Sequence, residues 1–169
     1  MANDNLQKKL VEYVDDAYAM EQNVSTMLTS MISTTDDPEI KDMLEHHKQQ
    51  TEEHARRLRE RLDAMGAGTS TTKAVGGLGA ALFKGVGDMA RTDKPGKNAR
   101  DGYMTEHMEI AAYELLERLA DRAGDQQTAE VARQNRADEE AMARKIDSNW
   151  DRFLELTLAT PSVLATGGP

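Results

Sequence analysis

Carboxylate and imidazole side chains interrupt four otherwise apolar helical stripes near their middles. They are Glu21, His54, Glu106 with Glu109 beside it, and Glu139. An unpaired buried carboxylate is costly, so a protein core excludes such groups unless cations, hydrogen bonds or protonation compensate. Carboxylates that share a dry site hold either protons or a cation. The joint pattern therefore predicts a metal site built from these five residues.

The sequence also limits which metal this site would take. The chain has 169 residues and no cysteine, which excludes thiolate ligands and a cysteine nucleophile. Glutamate oxygens and histidine nitrogens favour iron or manganese, as a pair or as a single ion, with zinc as a further option. Iron or manganese would point to oxidase or peroxide chemistry, with oxygen or peroxide reaching the site.

Each proposed ligand, taken alone, has an ordinary structural explanation. Glu21 would be exposed by a small rotation of its helix, and His54 lies among charged neighbours that could pair with it. Glu139 stands one turn from Arg136, a common arrangement for a surface ion pair. Only the coincidence of all the groups favours a metal site.

Spacings of three and four between apolar residues predict four long helices that position these groups. The segment Asp36-Asp37-Pro38 supplies a cap followed by proline at the start of the second helix, and Gly124 suits the end of the third. The predicted helices cover approximately residues 4–34, 38–65, 99–123 and 125–159. They indicate an all-α, antiparallel four-helix bundle formed by residues 1–159, followed by a flexible tail at 160–169.

A Gly-, Thr- and Ala-rich segment, residues 66–98, separates the second and third helices. Unstructured loops longer than ~12 to 15 residues are uncommon in compact domains, whereas ferritin-like bundles need one crossover along the height of the bundle. The segment is therefore interpreted as that crossover, with room for a short helix. A membrane-active hairpin is the alternative, although the segment lacks a basic face and aromatic anchors.

Charge and hydropathy exclude several partners. The net charge of -9 argues against nucleic acid, whose phosphates bind clustered Lys and Arg. No stretch approaches the ~18 apolar residues of a membrane-spanning helix. We therefore expect a soluble, cytoplasmic protein without stable membrane association.

Three segments carry a family resemblance: residues 16–21 (DAYAME), 47–58 (HKQQTEEHARRL) and 106–113 (EHMEIAAY). The last is the most specific, because it fits an E-H-x-E-I-A-x-Y pattern in a third helix. Over residues 6–66 and 99–150 the chain resembles the YciE/YciF-type ferritin-like family. The resemblance implies a ferritin-like bundle, usually a homodimer, from bacterial proteins associated with stress.

The chain departs from the general di-iron bundle pattern of one Glu from each of two helices and Glu-x-x-His from the other two. Its second helix offers Thr51-x-x-His54, and its fourth offers Glu139-x-x-Met142. An alternative function therefore stays open, in which a non-catalytic stress or interaction protein retains a vestigial metal site. Tyr18 and Tyr113, each one turn from proposed ligands, are expected to hydrogen-bond to them.

The last residues of the chain suggest one further partner. The short apolar patch Pro161-Ser162-Val163-Leu164 loosely resembles the C-terminal peptides of ferritin-like proteins packaged in bacterial nanocompartments. A frayed terminus is the default interpretation of such a segment. A nanocompartment shell is therefore the lesser alternative to a homodimer without a shell.

Overall fold

The computed structural model describes residues 2–68 and 94–160, and within these ranges the protein is all-α. The helices are α1 (Ala2–Ser33), α2 (Pro38–Ala64), α3 (Lys94–Ala123), α4 (Gln126–Asp147) and α5 (Trp150–Ala159). No helix in these ranges is long and apolar enough to cross a membrane. The predicted all-α bundle is confirmed.

Short, well-capped turns join the helices of each pair. The Asp37 side chain accepts hydrogen bonds from two backbone N–H groups in the first turn of α2, and Pro38 opens that helix. Asp125 caps α4 by accepting from the backbone N–H and the hydroxyl of Thr128, at 3.0 and 2.8 Å. Gly66 and Gly124 follow the ends of α2 and α3 with φ of 69° and 76°, a left-handed conformation that favours glycine.

The helix pairs pack against each other in an antiparallel arrangement. Gln7, near the start of α1, donates to the backbone carbonyl of Ala123 at the end of α3, at 3.3 Å. Arg61, near the end of α2, forms an ion pair at 3.0 Å with Asp125, immediately before α4. Thus α1 runs opposite to α3, and α2 runs opposite to α4.

This arrangement places the end of α2 and the start of α3 at opposite ends of the bundle. The 27 residues of α2 correspond to a length of about 40 Å. A connection between them must therefore cover the bundle height, as predicted for the crossover. Residues 69–93, including any short helix there, lie outside the described residues, as do residues 161–169 of the predicted tail.

Apolar clusters fill the bundle on either side of its middle. One cluster lies toward the start of α1 and includes Leu10, Leu58 and Leu116, which are essentially inaccessible to solvent. A second lies toward the end of α1 and includes Val24 and Leu28. Burial of each such side chain stabilises the fold by ~1.5 to 3 kcal/mol. The polar groups between the clusters are thereby held in a rigid layer without bulk water.

The third helix begins earlier than residue 99, where the sequence placed its start. Gly96 lies in its first turn, and its backbone N–H donates to Thr157 Oγ1 of α5 at 2.9 Å. A Cβ atom at Gly96 would lie only 2.8 Å from that oxygen. Packing against α5 therefore explains why a segment containing proline and glycine is helical here.

The predicted fourth helix is divided into α4 and α5. Ser148 Oγ and Asn149 Nδ2 donate to the carbonyl of Lys145 at 3.0 and 2.7 Å. Such side-chain bonds compete with the helical hydrogen-bond pattern, and both residue types are poor helix formers. The break lets α5 pack against the start of α3.

Candidate metal centre

Six ionisable side chains converge at mid-height in the bundle, and each is at most 1% exposed. All four long helices contribute. Helix α2 supplies two histidines two turns apart, α3 supplies two glutamates one turn apart, and α1 and α4 supply one glutamate each. These residues are Glu21, His47, His54, Glu106, Glu109 and Glu139.

The six residues form two groups whose ligand atoms lie within 4.8 Å of one another. The first contains His47, Glu106, Glu109 and Glu139, and the second contains Glu21, His54 and Glu139. Glu139 belongs to both. The arrangement is thus compatible with two adjacent cations that share one carboxylate.

Glu139 presents one oxygen toward each histidine. Its Oε1 lies 2.8 Å from His54 Nδ1, and its Oε2 lies 3.7 Å from His47 Nε2. His47 Nε2 is also 3.1 Å from Glu106 Oε1. Neither His47 Nε2 nor His54 Nδ1 forms a hydrogen bond with these oxygens. The donor atoms are thus close together without being hydrogen-bonded to one another, an arrangement compatible with ligands of a cation.

Unpartnered polar atoms are concentrated in this layer. Among the described residues, ten buried side-chain nitrogen or oxygen atoms lack a hydrogen-bond partner, and nine belong to the six clustered residues. The tenth is Thr51 Oγ1, on α2 between the two histidines. Because buried polar groups are normally satisfied, such a concentration indicates a site for an ion or water.

Burial makes the carboxylates weak acids in the absence of a cation. It raises the pKa of Glu109 well above the ordinary value, and the charges of Glu139, Glu21 and Glu106 raise it further. Burial likewise raises the pKa of Glu106 to about 7, although His47 opposes the shift. The free cluster is therefore expected to retain protons near neutral pH.

Burial lowers the pKa of a histidine, whereas it raises that of a carboxyl group. Burial alone would lower the pKa of His54, but Glu139 and Glu21 outweigh it and raise the pKa to about 10. Burial also opposes protonation of His47, yet Glu106 raises its pKa. Protonated histidines partly balance the carboxylates in the free cluster, so a metal ion must displace these protons.

Asp138 orients His54. Its Oδ2 lies 3.0 Å from His54 Nε2, on the side of the ring away from the cluster. When a cation displaces the Nδ1 proton, the remaining proton on Nε2 is donated to Asp138, and the Nδ1 lone pair is directed at the space between Glu21 and Glu139. A carboxylate behind a histidine in this way fixes the ring and strengthens it as a ligand.

A hydrogen-bond chain through Tyr113 holds Glu21, whereas Tyr18, which was also expected to bond to a ligand, packs against the first apolar cluster instead. The Tyr113 hydroxyl donates to Glu21 Oε1 and accepts from Asn135 Nδ2 at 3.0 Å. Asn135 Oδ1 in turn accepts from Arg57 Nη1 at 3.0 Å. Burial raises the pKa of Tyr113 well above its ordinary value, so the phenol stays protonated and remains a donor.

Replacing Tyr113 with phenylalanine should destabilise the protein by about 1 to 3 kcal/mol. The change leaves buried groups of Glu21 and Asn135 without partners while preserving most of the ring packing. Urea denaturation would measure the loss. Tyr13, half-buried beside the first apolar cluster, offers a matched Tyr13→Phe control. Equal, small effects of the two substitutions would show that the chain contributes little.

The structure brings together all five residues proposed from the sequence, and their metal binding stays a prediction. The sequence analysis did not assign His47 as a ligand. Its position two turns before His54, on the same face, was the available signal. Asp138 lies off the buried face of α4, so the spacing of apolar residues could not identify it as part of the site.

Arg136 does not form the ion pair with Glu139 that their one-turn spacing suggested. It lies at the edge of the bundle, whereas the neighbouring Asn135 is fully buried. Arg136 pairs with Glu114 and Glu117 on α3 rather than with Glu139. The ordinary ion-pair explanation for Glu139 is therefore wrong.

The geometry also accounts for the two departures from the di-iron bundle pattern. Thr51 and Met142 stand where that pattern has a Glu and a His. His47 lies one turn before Thr51, and Glu109 one turn after Glu106, and both enter the group of four. The cluster thus retains six potential ligand residues through different positions on the same helices.

An antiparallel bundle with a bundle-height connection between its helix pairs and a buried Glu/His layer is a ferritin-like protein. The chain matches the family described as "Domain of unknown function (DUF892)" over residues 5–159. It therefore belongs to that family. The resemblance to YciF-type ferritin-like proteins is confirmed.

Solved structures share this fold. A protein from Xanthomonas campestris pv. campestris is 26% identical, with a TM-score of 0.76 over 91% of this chain and 96% of that one. The Escherichia coli stress protein YciF is 16% identical, with a TM-score of 0.77 over 89% and 97%. YcfI, described as a putative structural protein from Rhodopseudomonas palustris, is 22% identical, with a TM-score of 0.70 over 85% and 93%.

Proposed function

We propose that this protein is a ferritin-like metal-binding protein of the stress response that binds two iron or manganese ions and reacts with oxygen or peroxide. The nine unpartnered ligand-type atoms in one buried layer carry the proposal. A solvent-excluded set of carboxylates and imidazoles has no evident structural role without a cation. The association with stress rests on the family resemblance.

Each ion has a distinct set of ligands in this proposal. His47, Glu106 and Glu109 would hold one ion, Glu21 and His54 would hold the other, and Glu139 would contribute to both sites. The four glutamates together carry a charge of about -4 when ionised, which two divalent cations balance. Charge neutrality thus favours a pair of ions over a single one.

Bound iron or manganese would supply the electrons for reduction of oxygen or peroxide. The chain supplies the surroundings. The apolar clusters above and below the layer exclude bulk water, Asp138 holds the His54 ring, and Tyr113 donates a hydrogen bond to Glu21. These contacts keep the ligands in place when the charge at the site changes.

Metal analysis of the full chain, purified without chelator, tests the proposal directly. We expect close to two equivalents of iron or manganese per chain, and uptake of ferrous ion under air. Less than about 0.1 equivalent of iron, manganese and zinc together, with no uptake of ferrous ion, would contradict the proposed function.

Replacing Asp138 with alanine should weaken binding of one ion by about 10- to 100-fold, because His54 loses the carboxylate that orients it. The other ion, held through His47, should bind normally. Asp138→Asn retains a hydrogen-bond acceptor and should recover part of the loss. Competition against a chelator of known affinity would resolve the two ions. An unchanged affinity in Asp138→Ala would show that His54 is not a ligand.

The second candidate is a non-catalytic stress or interaction protein with a vestigial site. Thr51 and Met142 motivate it, since neither supplies the expected ligand. It requires the buried polar groups to satisfy one another, and the unpartnered atoms weigh against that. Its test is thermal: complete metal removal should leave the melting temperature unchanged, whereas bound ions stabilise by mass action.

We further propose that the protein is cytoplasmic and, from the family resemblance, that it is a homodimer. Light scattering coupled to gel filtration would establish the mass in solution. The nanocompartment alternative depends on residues 161–169, outside the described residues. It requires a shell protein that co-purifies with the full chain and is lost on deletion of residues 160–169.

A further inference from the structure

A cavity of about 380 Å³ opens at the end of the bundle where α1 ends and α2 begins. Its size falls within the range of small-molecule sites in proteins. Side chains from all five described helices line it, and its walls are largely apolar. They include Leu28, Met31, Ile40, Met43, Ile146 and Phe153.

The cavity reaches the candidate metal centre. Glu106 and Met142 lie at its inner end, while Thr34, Thr35 and Thr160 lie near its mouth. Glu106 is 1% exposed, and its Oε2 has no hydrogen-bond partner. The eleven-residue step along α3 from Pro95, another lining residue, to Glu106 corresponds to about 16 Å. The cavity thus joins a long, largely apolar space to the buried Glu106 side chain.

We propose that this cavity binds a medium-chain aliphatic molecule with an uncharged polar head, of which a primary alcohol is the simplest example. The chain packs against the apolar walls, and the head donates a hydrogen bond to Glu106 Oε2. An anionic head would add negative charge beside Glu106 and Glu139. A cationic head would be desolvated at high cost and would compete with the metal ions.

This inference deepens the proposed function, because it names a substrate class for the metal centre. It rests on the proposed function only for the chemistry after binding. The cavity and the Glu106 oxygen are features of the protein itself, so binding of the aliphatic molecule can be measured without metal.

Trp150, the only tryptophan in the chain, provides a reporter. Its ring centroid lies 6.2 Å from that of Phe153, a lining residue. We expect saturable changes in fluorescence when metal-free full chain is titrated with primary alcohols from 1-butanol to 1-decanol. Affinity should rise about fourfold per added methylene until the cavity is filled. No saturation, or equal affinity at every length, would overturn the proposal.

Gly102 offers a matched pair of variants. It lines the cavity, and a Cβ atom there would lie 3.6 Å from Ile146 Cδ1, an ordinary contact. Gly102→Ala should therefore fold and bind 1-octanol normally. Gly102→Leu places further atoms in the cavity and should weaken binding by about tenfold or more. Equal affinities in the two variants would overturn the assignment of the cavity.

Metal content, measured on the same proteins, separates this inference from the proposed function. Gly102→Leu should retain metal because it is not a ligand. Saturable alcohol binding by a protein that takes up no metal would support the cavity and remove the metal function. Metal binding without saturable alcohol binding would support the metal function and overturn the proposal for the cavity.

The chain's own C-terminal residues are the competing occupant, because Thr160 lines the cavity and residues 161–169 follow it. Comparison of the full chain with a chain ending at Thr160 tests this. Similar 1-octanol affinity in both supports the proposal. Binding only after truncation would show that the tail fills the cavity, and the proposal would be wrong.

Discussion

Replacing Glu139 with alanine is expected to abolish binding of both metal ions, because this carboxylate belongs to both groups of ligands. Glu106→Ala should remove only the ion held with His47, and Glu21→Ala only the ion held with His54. The measurement is the number of equivalents bound after equilibration with ferrous or manganous ion. Expected values are about two for the natural protein, one for each single-group variant and none for Glu139→Ala.

The metal-free stability of the same variants provides an independent comparison. Loss of Glu106 should barely change, or even raise, the free energy of unfolding of metal-free protein, because burial and the nearby Glu139 disfavour its ionised form. If these glutamates were purely structural, their replacement would leave hydrogen-bond partners unsatisfied. The free energy of unfolding would then fall by ~1 to 3 kcal/mol, with or without metal. Urea denaturation in both conditions distinguishes these outcomes.

Glu140 is the matched control for Glu139. It follows Glu139 on α4, is partly exposed to solvent, and pairs with Arg136 at 3.6 Å. Glu140→Ala should retain both ions. Equal destabilisation of Glu139→Ala with and without metal would contradict the metal centre and leave the bundle as a scaffold.

The fold was predictable because its main determinants are local. Apolar spacing along α1 and α2, the cap at Asp37 and the glycine after α3 each specify an element without reference to the rest of the chain. The division of the last predicted helix was harder to foresee. It depends on Ser148 and Asn149 bonding back to one carbonyl and on a tertiary contact, Gly96 with Thr157, that spacing cannot reveal.

The site was predictable to within about one helical turn. Interruption of an apolar stripe identifies a buried ionisable residue, and this signal identified Glu106 and Glu139. It cannot decide which neighbouring turns share a layer, since that depends on how far one helix is shifted along another. His47 was therefore left unassigned. Asp138 acts through the ring of His54 from outside the core, so only the three-dimensional structure identifies it.

Metal-free protein is expected to lose stability as pH rises from about 5 to 9. The folded-state pKa of Glu106 is raised from about 4.5 to about 7, and that of Glu109 is also raised well above its ordinary value, so the folded protein binds more protons than the unfolded chain. His54 has the same sign, because its folded pKa of about 10 exceeds the ordinary value of about 6.5. The stabilisation that His54 contributes is fully present below about pH 6.5 and is lost as the pH rises toward 10.

The surface carboxylates act in a different pH range. Arg56 holds the pKa of Glu53 down at about 2, and the Ile40 backbone N–H lowers that of Asp37. Their contributions are present above their unfolded-state pKa values and are lost only as pH falls through the folded values. A decline in stability above pH 5 therefore reports the buried cluster or general charge repulsion.

Two comparisons distinguish the contribution of the buried cluster to this decline in stability from that of general charge repulsion. Glu106 alone should contribute a loss of about 3 kcal/mol between its unfolded and folded pKa values, so Glu106→Gln should have a visibly flatter pH profile in chelator. Manganous ion should reverse the trend in the natural protein, because it displaces the protons and binds more tightly as pH rises. At about 100 times the dissociation constant it should add about 2.7 kcal/mol per site. Urea denaturation at each pH measures both effects, and a metal-free profile that is flat or rises above pH 5 would show that the cluster does not hold excess protons.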